Sequence, residues 1–278
     1  MKALVSRLSS RFIFCGNENS HSGNAARLSR FDKLRAMSDS PTFSDKKPAE
    51  TPDHSTEELV AELTRRGASM KEIALLKNSG AQTPEEALGS LKAGNARFYS
   101  DKPERVFADV NHRRAQIMTQ TPFAVILGCS DSRVPVEIIF DQGPGDIFSV
   151  RVAGHVISPG ALGSVQYALA YLKIHLVVVL GHEGCGAVAA AMPDAIVRGD
   201  EPSHVRFLLE SIAPALTGLP HIHDAKARMR EACVLNVMHQ KKRLESDPFV
   251  AAAVASGRLQ VVGAFYDIGS GAVDFLDD

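Results

Sequence analysis

Cysteine is scarce here: Cys15, Cys129, Cys185 and Cys233 are the four in 278 residues, too few and too scattered to staple a disulfide scaffold. Free thiols suit a reducing compartment. No apolar run approaches the roughly 20 residues that a membrane-spanning helix needs, so no membrane association is expected and the chain reads as soluble. Neither sign of charge is in excess. With 31 Lys and Arg against 32 Asp and Glu, the formal net charge is -1, and no global field draws in nucleic acid or an anionic membrane. The glycines never fall into GxGxxG, and no GKS or GKT occurs, which leaves nucleotide binding without support. There is no internal repeat. These absences leave a small molecule as the expected partner.

What is present is a hydrophobic fraction of 45%, enough for a sizeable core in one large domain. Residues 1–50 show little periodicity and many Ser, Asn, Asp, Lys and Pro, the composition of a disordered or targeting tail. Within them, residues 1–36 hold seven Lys or Arg against two acids, and Leu4, Leu8 and Phe12 share one helical face. Two readings fit: an organellar presequence, or a true start at Met37. The cytoplasm is the default compartment, with a mitochondrion or plastid as the alternative. Residues 51–82 read as a helical extension. One helix starts at Ser55-Thr56-Glu57-Glu58 and is ended by Gly67, and Ser69 with Glu72 boxes the start of a second that stops near Gly80.

Thr83-Pro84-Glu85-Glu86 combines an N-cap, a first-turn proline and a capping-box glutamate. It opens a helix to about Phe98, with Ala87, Leu88, Leu91 and Phe98 inward, and begins a domain over 83–278. Strands are predicted at 123–128, 146–152, 174–180 and 258–266, with 272–276 returning as an edge hairpin. Helices fall between them at 134–140, 159–172, 187–192, 203–215 and 224–246, the last burying Met229, Ala232, Val237 and Leu244. Alternating strands and helices predict an α/β fold: a mostly parallel central sheet flanked by helices, with N-terminal helical arms.

Two of these strands end in chemistry. Phe123-Ala-Val-Ile-Leu-Gly runs into Cys129-Ser-Asp131-Ser-Arg133, and Leu176-Val-Val-Val-Leu-Gly runs into His182-Glu-Gly-Cys185. In open α/β sheets, ligands bind beyond the carboxyl ends of strands, so Cys129, His182 and Cys185 are able to converge. Two thiolates, an imidazole and an open fourth position make a catalytic zinc arrangement. Simple packing of the cysteines is the competing reading. Asp131 and Arg133 favour the metal, because in an extended loop both project the same way as Cys129, and the guanidinium can hold the carboxylate in a fork as a hydrogen-bond acceptor. Two thiolates offset the dication and acidify its water less than three imidazoles would, so an orienting acceptor matters more.

These residues resemble the β-class carbonic anhydrases over roughly residues 83–276. Cys129-Ser-Asp131-Ser-Arg133 followed by Gly181-His182-x-x-Cys185-Gly186 carries the likeness; Gly94-Asn95-Ala96-Arg97-Phe98, Gly145-Asp146-Ile147-Phe148 with Arg151, and Tyr266-Asp267 add to it. The resemblance implies one Zn2+ per chain on Cys129, His182 and Cys185, an Asp131–Arg133 dyad, and hydroxide attack on CO2 giving bicarbonate and a proton. It also implies Gln120, Phe148 and Tyr167 as substrate-binding residues, and a homodimer or homotetramer. Some members place a tryptophan three residues before the first ligand, in a bicarbonate site that closes the zinc; Ile126 stands here, which favours zinc open to water. His155 stands where many members have asparagine and reads as structural. Two alternatives stay open, a CS2 or COS hydrolase of the same fold and a noncatalytic protein that binds zinc or bicarbonate.

Overall fold

In the computed structural model, residues 62–63, 65–69, 81, 83–104, 110–117, 120–193 and 201–276 are described. The expected tail over 1–50 and the helix expected over 69–80 lie outside them, except that Ser69 itself is described. Of the first arm helix only the end falls inside, where Ala68 N–H donates to the Leu63 carbonyl at 3.0 Å and Gly67 takes a φ of +76°, closing the turn as predicted.

Strands β1 (Ala124–Gly128), β2 (Ile147–Arg151), β3 (Leu176–His182) and β4 (Gln260–Tyr266) are parallel, and β5 (Val273–Phe275) runs antiparallel beside β4. Their order is β2-β1-β3-β4-β5, so the predicted α/β fold with a mostly parallel sheet is what forms. Around it lie α1 (Pro84–Tyr99), α2 (Val110–Ala115), α3 (Val136–Ile139), α4 (Pro159–Tyr171), α5 (Gly186–Ala190), α6 (Ser203–Ile212), α7 (Ala225–Glu245) and α8 (Pro248–Ala255). Every residue of β1 and β3 is buried, because helices cover both faces. On one face Val125, Leu127, Val177 and Val179 meet Val165 of α4, Val237 and Leu244 of α7, and Val250 of α8. On the other, Ile126, Val178 and Leu180 meet Ala87 and Leu91 of α1 and Val136 and Ile139 of α3. Each such aliphatic side chain contributes about 1.5–3 kcal/mol.

The predicted start of α1 is realised in full: Glu86 N–H donates to Thr83 Oγ1 at 3.2 Å, and Thr83 N–H to the Glu86 carboxylate at 3.3 Å. Its far half is fitted closely to α3. A Cβ on Gly94 would lie 1.9 Å from the Phe140 carbonyl oxygen. Asn95, buried, donates to the carbonyls of Ile139 and Gly271 and accepts from Val273 N–H, tying α1 to β5. Arg97 pairs with the buried Asp141 at 2.6 Å.

Three local features differ from the sequence reading. The helix expected over 203–215 leaves α geometry at Ile212 and finishes as a 3-10 turn over Ala213–Leu216, where Pro214 has no N–H to continue the ladder. Helix α8 was not expected, although Asp247 caps it through Phe249 and Val250 N–H and Pro248 opens it. Helix α2 was also unforeseen.

Candidate metal centre

Strands β1 and β3 are neighbours, but β1 leads to β2 on its far side and β3 to β4 on its own, so the chain leaves the two strands in opposite directions and opens a crevice beyond their carboxyl ends. Cys129 follows the last residue of β1, His182 is the last residue of β3, and Cys185 is the N-cap of α5. All three are buried. The two Sγ atoms lie 4.0 Å apart, and the three donor atoms fall within 4.8 Å of one another. Around a tetrahedral zinc with Zn–S of about 2.3 Å, two sulfurs stand about 3.8 Å apart. Among the described residues this is the one group of three or more His, Cys, Asp or Glu donors close enough to share an ion.

The imidazole is set up as a ligand. His182 Nδ1 lies 2.9 Å from the Glu183 carbonyl, an acceptor, so that nitrogen carries the proton and Nε2 keeps its lone pair. Nε2 is buried with no hydrogen-bond partner. A buried acceptor left unpaired is costly, and a metal at this position would relieve it. The donors therefore fit zinc.

Charges around the thiols follow from contact. A hydrogen bond from the Cys185 thiol holds Cys129 well below the ordinary thiol range, helped by the backbone N–H groups of Asp131 and Gly154. Cys185 is pushed up by the same partner and by burial. Arg133 grips Asp131 at both oxygens, Nε to Oδ1 at 2.9 Å and Nη2 to Oδ2 at 2.7 Å, and keeps its carboxyl far below the usual carboxylate range. Oδ2 lies 4.0 Å from His182 Nε2, beside the donor group and not within it.

The remaining predicted residues lie elsewhere in the chain. Gln120 is exposed and precedes β1, at the end of the strand away from Cys129. Phe148 and Tyr167 meet at a ring distance of 6.3 Å against α4, and Tyr167 is 47% exposed. Tyr167 continues to Tyr171 at 5.1 Å, and with Phe249 they line a shallow depression of about 360 Å³.

Sequence reasoning gave Arg151 no role. Its Nε donates to the Cys129 carbonyl at 2.9 Å and its Nη2 to the Asp131 carbonyl at 2.5 Å, bracing the loop from β2. The sequence offered only an arginine near the end of the strand expected over 146–152, and it is the pairing register that places Arg151 opposite Gly128. The Gly154 N–H, which donates to Cys129 Sγ at 3.3 Å, is a backbone group and left no trace in residue type.

A mostly parallel sheet with two thiols and an imidazole gathered at its carboxyl edge makes this an α/β protein with a candidate metal site. The carbonic anhydrase family pattern matches residues 124–273. Carbonic anhydrase 2 of Mycobacterium tuberculosis is 41% identical over 200 residues, covering 70% of this chain and 93% of the relative. The carbonic anhydrase of Mycolicibacterium smegmatis is 38% identical over 197 residues, covering 69% and 92%. Among solved structures, a tetrameric β-carbonic anhydrase of Sordaria macrospora aligns with a TM-score of 0.53 at 32% identity, over 58% of this chain and 83% of that one. The chain belongs to the carbonic anhydrase family, in its β class.

Proposed function

We propose that this enzyme hydrates CO2 reversibly to bicarbonate and a proton at one zinc ion per chain, held by Cys129, His182 and Cys185, with Asp131 and Arg133 as the catalytic dyad. The observation that carries the reading is the buried, partnerless Nε2 of His182 facing two thiols at zinc spacing, beside a carboxylate already gripped by a guanidinium. When bound, the ion supplies a water acidic enough to lose its proton near neutral pH.

The residues around it supply orientation and a dry pocket. Arg133 keeps Asp131 ionised and occupies both of its oxygens, which supports a role as hydrogen-bond acceptor and an open fourth position in place of ligation by the carboxylate. The free lone pair of Asp131 fixes the direction of the nucleophile's O–H, and so of its attack. Val156, Val188 and Phe265 pack with Cys129 and Cys185 into one apolar cluster, a wall that suits CO2 better than water.

Gln120, Phe148 and Tyr167 complete the substrate pocket when a second chain covers their surface, so the working unit is a homodimer or homotetramer. Support comes from the exposure of Gln120 and from the aromatic patch of Tyr167, Tyr171 and Phe249. The cytoplasm suits two free thiols. No helix among the described residues is long and apolar enough to cross a membrane.

Protein shown to carry about one zinc per chain should hydrate CO2 in stopped-flow assays across about pH 6.5 to 9. Asp131→Asn should keep the zinc and lose roughly 10–100-fold in rate. Zinc-loaded protein that leaves CO2 at its background rate but hydrolyses CS2 or COS would move the activity to those substrates. Loaded protein inert toward all three would make the chain a binding protein.

A further inference from the structure

The turn after β2 has an uncommon backbone. Gly154 has a φ of +65° and His155 one of +45°, so two successive residues are left-handed. Turns with backbone of this kind make concavities in which N–H groups face an anion. Here the Gly154 N–H faces Cys129 Sγ at 3.3 Å. Glycine is favoured here by its positive φ, and a Cβ would come within 2.6 Å of Ile212 Cδ1, so that side chain would have to move.

What holds this turn comes from α7, across the molecule's core. Asn236 is fully buried, and its Nδ2 donates to the Gly154 carbonyl at 3.0 Å and lies 2.9 Å from His155 Nε2. Its Oδ1 accepts from Gln240 Nε2 at 3.1 Å, one turn further along the helix. Gln240 in turn accepts from Ile157 N–H at 3.0 Å and donates to the Ser211 carbonyl at 3.1 Å. Two buried amides on a helix face that otherwise meets apolar side chains are tolerated only because their polar atoms are satisfied. Gln240 ties down ordinary loop backbone. Asn236 grips the carbonyl of Gly154, a residue whose N–H donates to a thiol of the metal centre.

We propose that Asn236 is a positioning residue for the metal centre, holding Gly154 so that its N–H stays on the sulfur of Cys129. The proposal rests on the reading of Cys129, His182 and Cys185 as a zinc site. A donor on a ligating thiolate draws charge away from the sulfur, so the ion keeps more of its own. Removing outer partners of this sort typically costs 10–100-fold in metal affinity or activity.

The test compares wild type, Asn236→Leu and a control, Leu244→Ala, which opens a cavity on the same helix away from the turn. Two quantities are read: zinc affinity by chelator competition with the holoprotein, and the thiolate-to-metal charge-transfer band after exchange to cobalt(II). Asn236→Leu is expected to bind zinc about 10–100-fold more weakly and to move the band to longer wavelength, since a sulfur without its donor gives up charge more easily. Leu244→Ala is expected to melt earlier with band and affinity unchanged. A lowered melting temperature in Asn236→Leu with wild-type band and affinity overturns the proposal and leaves Asn236 a packing residue. If that variant does not fold, Asn236→Ser is read in the same two assays, with the same expected directions and the same overturning result. Wild type that shows no such band and no zinc binding overturns the zinc centre itself, and the proposal with it.

Discussion

His155 is fully buried, and its Nε2 accepts from Asn236 Nδ2, which leaves the ring's proton on Nδ1 with no partner. Burial pushes its pKa down to about 4 from the ordinary 6.5. The folded state therefore keeps the ring neutral, whereas the unfolded chain takes up a proton as pH falls below about 6.5. Stability is full above that pH and declines as pH drops through about 4. At about 1.36 kcal/mol per pH unit, the gap amounts to about 3 kcal/mol. His155→Asn removes this titration. Denaturant unfolding of both proteins at pH 7 and pH 4 should show the variant losing about 3 kcal/mol less than wild type between the two. Equal losses would mean that the ring is reached by water or protonated in place.

At the scale of elements, the close approach of α1 to α3 is the most demanding fit. Gly94→Ala would drive a methyl into the Phe140 carbonyl, and overpacking of that kind costs roughly 1–3 kcal/mol. Thermal unfolding should register the loss, with zinc content per folded chain unchanged, because this contact lies on the α1 face and not at the centre. Elements such as α1 were legible because cap, proline and capping-box residues sit together in the sequence. The thiol and imidazole donors were legible too, since they stand just beyond short apolar runs rich in β-branched residues and closed by glycine, as strands buried on both faces read. Helix α8 was not, because Phe249-Val-Ala-Ala-Ala-Val shows no helical alternation of apolar and polar residues. Asn236 and Gln240 were hidden for the opposite reason. Amides four apart on a helix read as a solvated face, and only the packed structure shows that loop carbonyls and N–H groups meet them.

For the whole molecule, the placement of Gln120, Phe148 and Tyr167 decides how many chains make one site. No single sequence reveals which surface a second copy covers, so spacing alone could not say whether these three side chains meet a neighbouring chain. If Gln120 serves a neighbouring chain, Gln120→Ala and Cys129→Ser chains should each be impaired alone. Co-assembled, they should regain up to about half the wild-type rate per dimer, because one site then has both groups intact. No recovery in the mixture would mean that Gln120 does not serve a neighbouring chain's centre.

The parallel register of β1 with β3 has one more consequence, for the order in which the chain acquires its metal. Cys129 and His182 are 53 positions apart (182 − 129), and only completed strand pairing brings them together. His182 and Cys185 need no such pairing, since they are three positions apart in the extended chain as well. With zinc as the ion proposed above, a newly made chain would hold it loosely by two donors before folding and recruit Cys129 as the sheet closes. Binding to the unfolded chain reduces what the ion adds to stability, so zinc should protect the fold by less than its affinity for the finished site implies.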